Sequence, residues 1–162
     1  MCLSQVTDIM SLDYLVHDFE AMCRKLKPTS RRILIDMGAS LDFHGNDQPI
    51  VTLLNLYAKF GFNFDHIYAF EKTPKDPEEL YTNRLPEKYF TAYHWINTGV
   101  SADEGHKLNP LHSILKKFDE NDFIVVKLDI DTMAIEVPLV KQLLEDEDKI
   151  YSKLVDQFYF EH

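Results

Sequence analysis

The run Phe123-Ile124-Val125-Val126-Lys127-Leu128-Asp129-Ile130 restricts the fold of this chain more than any other feature. Apolar and β-branched residues fill it almost continuously, without the polar alternation of a strand that has one wet face. It reads as a strand buried on both sides, at the centre of a parallel sheet. A parallel sheet needs long crossovers, and the rest of the chain supplies them. Ile33-Leu34-Ile35 is another short apolar strand, closed by the turn Asp36-Met37-Gly38-Ala39-Ser40. A helix follows, opened by Asp47 or Gln48 ahead of Pro49, with Ile50, Leu53, Leu54 and Tyr57 on one face and Gly61 as its stop. The unit then repeats. His66 to Phe70 is a strand ending at Glu71, the stretch 73–86 carries a short helix around Glu78 to Tyr81, and Tyr89 to Asn97 is a third strand. Leu111, Ile114, Leu115 and Phe118 mark a short helix. Pro138 starts a further one, with Leu139, Val140, Leu143 and Leu144 inward, and Phe158-Tyr159-Phe160 is the last strand. Five strands alternating with helices predict an α/β fold: a doubly wound, mostly parallel sheet with helices on both faces.

A chain of 162 residues has room for one compact core, so a single domain is expected. Within it, residues 1–30 form an amino-terminal helical segment, because Leu15, Val16, Phe19, Met22 and Leu26 recur at helical spacing. Residues 31–162 form the sheet domain. Arg24, Lys25, Lys27, Arg31 and Arg32 cluster around the helix stop, where cations are favoured by the helix end; an anion site is the alternative. The 27 acidic residues exceed the 17 basic ones, and a net charge of -10 opposes docking on nucleic acid or an anionic membrane. Cys2 and Cys23 form no CxxC pair and imply no disulfide framework. His17, His66, His94, His106 and His112 are scattered without metal-ligand spacing. No apolar run approaches the roughly 20 residues that span a bilayer, and no signal peptide opens the chain, so a cytoplasmic protein is expected.

In open parallel sheets ligands bind outside the carboxyl ends of the strands. Asp36, Glu71, Asn97, Asp129, Asp131, Glu161 and His162 fall at such positions. Small residues at Gly38, Ala39 and Ser40 suit a turn where backbone passes close to a ligand. A carboxylate at Glu71 can accept hydrogen bonds from both hydroxyls of an adenosine ribose. The 35-residue separation of Asp36 from Glu71 implies an enlarged loop at residues 42–48. His44, in that loop, and His162 are placed either to approach a substrate as bases or to serve the structure. Asp129-Ile130-Asp131 is also an Asp-x-Asp pattern of the kind that holds a divalent metal and a sugar nucleotide in glycosyltransferases.

Four blocks, taken in order, resemble those of FkbM-type methyltransferases: Ile35-Asp36-Met37-Gly38-Ala39; Tyr68-Ala69-Phe70-Glu71-Lys72-Thr73-Pro74; Asn97-Thr98-Gly99-Val100-Ser101 with Gly105; and Val126-Lys127-Leu128-Asp129-Ile130-Asp131 followed by Glu136. The resemblance covers about residues 32 to 162. It implies a Rossmann-like class I methyltransferase fold, S-adenosylmethionine as donor, and O-methyl transfer to a small hydroxyl-bearing acceptor. It places Asp36, Gly38 and Ser40 along the methionine part of the donor, Glu71 on the ribose and Ser101 near the adenine edge. Asp129 would face the methyl group, orienting the acceptor or taking its proton. With Asp131 and His162 it makes the candidate catalytic set. Where the family continues with Glu-Gly-x-Glu, this chain has Asp131-Thr132-Met133-Ala134-Ile135-Glu136, without the Gly and with the second carboxylate displaced. The two strands that ordinarily complete such a sheet are also not found. A non-catalytic module that keeps the fold is the second reading, and a metal-dependent glycosyltransferase the third.

Overall fold

A computed structural model describes residues 19–40 and 49–160. Helix α1 (Phe19–Lys25) leads into β1 (Arg32–Met37), α2 (Pro49–Lys59) and β2 (His66–Phe70). Helix α3 (Pro77–Glu79) runs on as a π-helical turn over Leu80–Arg84 and precedes β3 (Tyr93–Ile96). Then come α4 (Pro110–Ser113), β4 (Phe123–Leu128), α5 (Met133–Leu144), α6 (Ile150–Leu154) and β5 (Gln157–Phe160). The five strands form one sheet in the order β3-β2-β1-β4-β5. Every pairing is parallel. This is an α/β architecture compatible with a Rossmann-like fold.

The alternation of side chains along each strand divides the core in two. Leu34, Ile67, Tyr93 and Val125 pack on one face with Leu54 and Tyr57 of α2 and Leu80 of the π-helical turn. Ile33, Ile35, Met37, Ile124, Val126 and Leu128 pack on the other with Leu111 of α4, Leu139 and Leu143 of α5 and Leu154 of α6. Helices therefore cover both faces, as the strand and helix alternation predicts. The Tyr57 hydroxyl ties α2 to β5 through hydrogen bonds with the Gln157 side chain and, at 2.9 Å, with Tyr159.

Several sequence expectations shift. The strand at the middle of the sheet is β1, flanked by β2 and β4, whereas the more apolar β4 lies one place off centre because β5 is the only strand beyond it. The third strand is only Tyr93–Ile96, since Glu87–Tyr89 takes a 3-10 turn behind Pro86. Helix α5 starts at Met133 and carries Pro138 in its interior. Leu144, expected inward, is 69% exposed at the end of that helix. The amino-terminal helix is described only from Phe19, and His44, Glu161 and His162 lie outside the described residues. Among the described residues no helix is long and apolar enough to cross a membrane.

The basic cluster has a different explanation from helix-end electrostatics alone. Lys25 pairs with Asp156, Arg31 with Asp122 and Arg32 with Asp65, joining the amino-terminal ends of the strands to their neighbours. Asp122 is the best connected of these carboxylates. It accepts from the Arg31 N–H, from Arg31 Nε and Nη2, and from the Asp119 N–H. Burial pushes the Asp122 carboxyl up, but the Arg31 guanidinium and the backbone donors outweigh it and hold the group below its ordinary value. A depressed folded value means that the contribution is present above the unfolded carboxyl value and is lost as pH falls through the folded one. Asp122→Ala is therefore expected to cost about 2 kcal/mol in urea unfolding at neutral pH. The gap to the wild type should close as the titration is repeated at pH values below the ordinary carboxylate range; a constant gap would refute the assignment.

Candidate functional site

The carboxyl ends of β1, β2 and β4 meet around Gly38. The Asp129 N–H donates to the Met37 carbonyl at 2.9 Å, and the N–H groups of Gly38 and Ala39 both donate to the Phe70 carbonyl. The β1 turn is thus fastened to both neighbouring strands. Gly38 has φ +94°, and a Cβ added there would stand 1.7 Å from the Asp129 carbonyl oxygen. The close approach that demands glycine is to the protein's own β4 loop, in addition to the cleft that Gly38 lines.

That cleft measures about 290 Å³ and is lined by Gly38 and Ser40 after β1, Phe70 to Thr73 after β2, Thr98 to Val100 after β3, and Asp129 to Thr132 with Ile135 after β4. Four strand ends contribute to one concavity. Glu71 is half-buried on its wall and accepts from the Thr73 N–H through Oε1 at 2.6 Å, which curls the loop after β2 back on itself. Asn97 fastens the same loop, donating to the carbonyls of Glu71 and Thr73 and accepting from the Lys75 N–H. Lys72 rests its aliphatic stem near Gly99.

Beneath the cleft, Asp36 is the second-last residue of β1 and is wholly buried. Its Oδ1 lies 3.2 Å from Lys127 Nζ, and its Oδ2 has no hydrogen-bond partner among the described residues. The ammonium also lies 3.2 Å from Asp129 Oδ2 and 3.5 Å from the Gly38 carbonyl. Burial drives the Asp36 carboxyl above its ordinary value, with Lys127 opposing the shift. Burial also pushes Lys127 down, but Asp36 and Asp129 more than compensate, so it stays a cation. Lys127 thus bridges the two carboxylates from within the sheet.

The predicted site residues divide accordingly. Gly38, Ser40, Glu71, Asp129 and Asp131 share the cleft. Asp36 lies below it, and Ser101 lies off it, accepting from the Asp103 N–H in a local turn. Asp131 has φ +53°, an uncommon conformation that aspartate tolerates better than most residues. The displaced carboxylate, Glu136, is buried on α5 and accepts from the Ile130 N–H at 2.9 Å, so it holds the β4 loop from behind. Thr98 and Gly99, within the third block of the resemblance, and Ile135 line the cleft too, although no individual role is read for them from the sequence. Among the described residues no group of three or more His, Cys, Asp or Glu side chains is arranged to hold a metal.

Away from the cleft, His66 and His94 are neighbours, with Nδ1 and Nε2 3.1 Å apart and both rings stacked on Tyr68. Their spacing of 28 in the chain concealed this contact, which follows from the β2–β3 register.

No protein-family model, curated protein or solved structure matches this chain.

Two measurements test this geometry. Gly38→Ala forces a side chain into the Asp129 carbonyl at an unfavourable φ and is expected to cost about 3 kcal/mol or more in urea unfolding. Near-wild-type stability would mean that the β1 turn and the β4 loop are not in contact. Burial and the neighbouring His66 hold His94 below the ordinary histidine value, favouring its neutral form in the folded state. The corresponding stability is present above the unfolded value and is lost as pH falls from there through the folded one. His94→Gln should therefore flatten the dependence of stability on pH between about pH 7 and pH 5.

Proposed function

We propose that the cleft binds S-adenosylmethionine and that the protein transfers its methyl group to a small hydroxyl-bearing acceptor. The observation that carries this reading is the position of the cleft. It opens where the chain order of the sheet reverses, between β1 and β4, with Glu71 on one wall and Asp129 on the other. Ligands of doubly wound sheets bind at such switch points. The four sequence blocks that resemble FkbM-type methyltransferases fall, in order, on the four strand ends that line it.

The donor set suits this cofactor in kind. Glu71, Asp129 and Asp131 line the cleft, and their negative charge complements a sulfonium. Glu71 keeps one carboxylate oxygen free of the Thr73 N–H, available to the ribose hydroxyls. Bound S-adenosylmethionine supplies an electrophilic methyl group. The chain's own work is then to align the acceptor hydroxyl in line with the departing thioether, which contributes through positioning. Asp129, on the cleft lining, would orient that hydroxyl and accept its proton, while the bound group would supply the methyl carbon and leave as the neutral thioether. Fully buried Asp36 lies beneath the cleft, and Ser101 lies outside its lining.

Calorimetric titration with S-adenosylmethionine and S-adenosylhomocysteine tests the reading, with a UDP-sugar plus Mn²⁺ as the contrasting ligand. Saturable adenosyl binding is expected, and Glu71→Ala should weaken it by roughly 1 to 3 kcal/mol. Metal-dependent sugar-nucleotide binding alone would replace this function with glycosyl transfer. Adenosyl binding with no turnover on any hydroxyl acceptor would identify a module that keeps the fold and the cofactor site but has lost the chemistry.

A further inference from the structure

We infer that Lys127 is a positioning residue: its ammonium, seated between Asp36 and Asp129, fixes the Asp129 carboxylate at the rim of the cleft. The inference deepens the proposed function, since it assigns how the acceptor-side carboxylate is held. It begins with the register of the sheet. Lys127 stands opposite Asp36 of β1 and Tyr159 of β5, in the second-last pairing row of the two central strands. A lysine in that place lies within a buried strand, and its side chain is only 15% exposed. Such a charge is tolerable only where acceptors meet it.

Three acceptors do. Asp36 Oδ1 and Asp129 Oδ2 are each 3.2 Å from Nζ, and the Gly38 carbonyl is 3.5 Å away, which matches the three N–H bonds of an ammonium. The two carboxylates differ in access. Asp36 is completely buried and does not line the cleft, whereas the Asp129 side chain is 32% exposed and does. Asp36 therefore meets the cleft through its hydrogen bond to Lys127 and through its charge on Asp129 and Glu71. The chain of contacts runs from a rigid point in the middle strand, through one ammonium, to the carboxylate that faces the acceptor. One oxygen of Asp129 is committed to Lys127, leaving the other for a ligand.

The test reads Asp129 directly. Its side-chain carboxyl carbon is followed by NMR across a pH titration in the wild type, Lys127→Met, Lys127→Arg and Asp36→Asn, with S-adenosylhomocysteine affinity measured on the same samples. The other titratable groups within electrostatic reach of this cluster are Asp36 itself, Glu71 of the β2 loop and Tyr93 of β3. Lys127→Met is expected to move the Asp129 titration upward and to weaken ligand binding by about tenfold, with Lys127→Arg restoring most of both. Asp36→Asn is expected to move Asp129 the opposite way, because the full charge of Lys127 then falls to it. This last variant decides the matter if Lys127→Met fails to fold. An Asp129 titration that ignores both Lys127→Met and Asp36→Asn overturns the inference, as does equal loss in Met and Arg variants. If the wild type binds no adenosyl ligand, the proposed function fails while the NMR result still decides the role of Lys127.

Discussion

The architecture depends on one backbone contact: the carbonyl of Asp129 lies where a side chain of residue 38 would otherwise be. That contact brings the turn after β1 and the loop after β4 together, so that the two central strands end at the same height. Parallel pairing from Arg32 with Phe123 to Met37 with Leu128 extends the contact down the sheet. The residues of β1 from Ile33 to Met37 are accordingly all buried. Had the loop of β4 stood further off, Asp129 and Glu71 would not share one cleft with Gly38. The site is a consequence of the same packing that closes the core.

Much of this was legible before the structure, for physical reasons that differ from element to element. The runs at residues 33–35 and 123–128 read as strands of a sheet covered on both faces because they are short and rich in β-branched residues, which separates them from a buried helix. Strand order follows less directly. Apolar content measures burial, and both β1 and β4 are buried, so apolar content alone points to β4 for the middle place that β1 occupies. Pro138 misled in a similar way. Proline is favoured at a helix start, yet α5 begins at Met133 because the β4 loop turns at Asp131 and Glu136 reaches back to the Ile130 N–H. The position of Glu136 three residues into the helix was visible in the sequence, but its direction was not.

Lys127 shows where pairwise reasoning would have gone further. A single charge inside a buried apolar run needs an opposite charge on an adjacent strand, and Asp36 is the only acidic residue in the first strand. Both stand second from the carboxyl end of their strands. A parallel register that aligns those ends pairs them. The energetic meaning is narrower than the geometry suggests, because desolvating two charges offsets most of their attraction and a buried ion pair is weak evidence of stability. What it supplies is specificity of register: a slip of one residue would leave both charges buried and unpaired.

The two ends of the sheet treat charge in opposite ways. At the amino-terminal end, Arg31, Arg32 and Lys25 each meet a carboxylate, and these pairs close the sheet without leaving a site behind. At the carboxyl end, Glu71, Asp129 and Asp131 line one small concavity, and the bridging ammonium below them is shared with the buried Asp36. Three carboxylates thus line the cleft against one lysine, Lys72. Nothing in folding requires that excess, since like charges gathered around a concavity repel and raise the energy of the empty cleft. A bound cation would relieve this repulsion, and a ligand carrying positive charge next to hydroxyls would answer both the carboxylates and the free oxygen of Glu71. On the proposed function, a sulfonium seated in the cleft would meet this charge, with the Lys72 ammonium on the same lining opposing it.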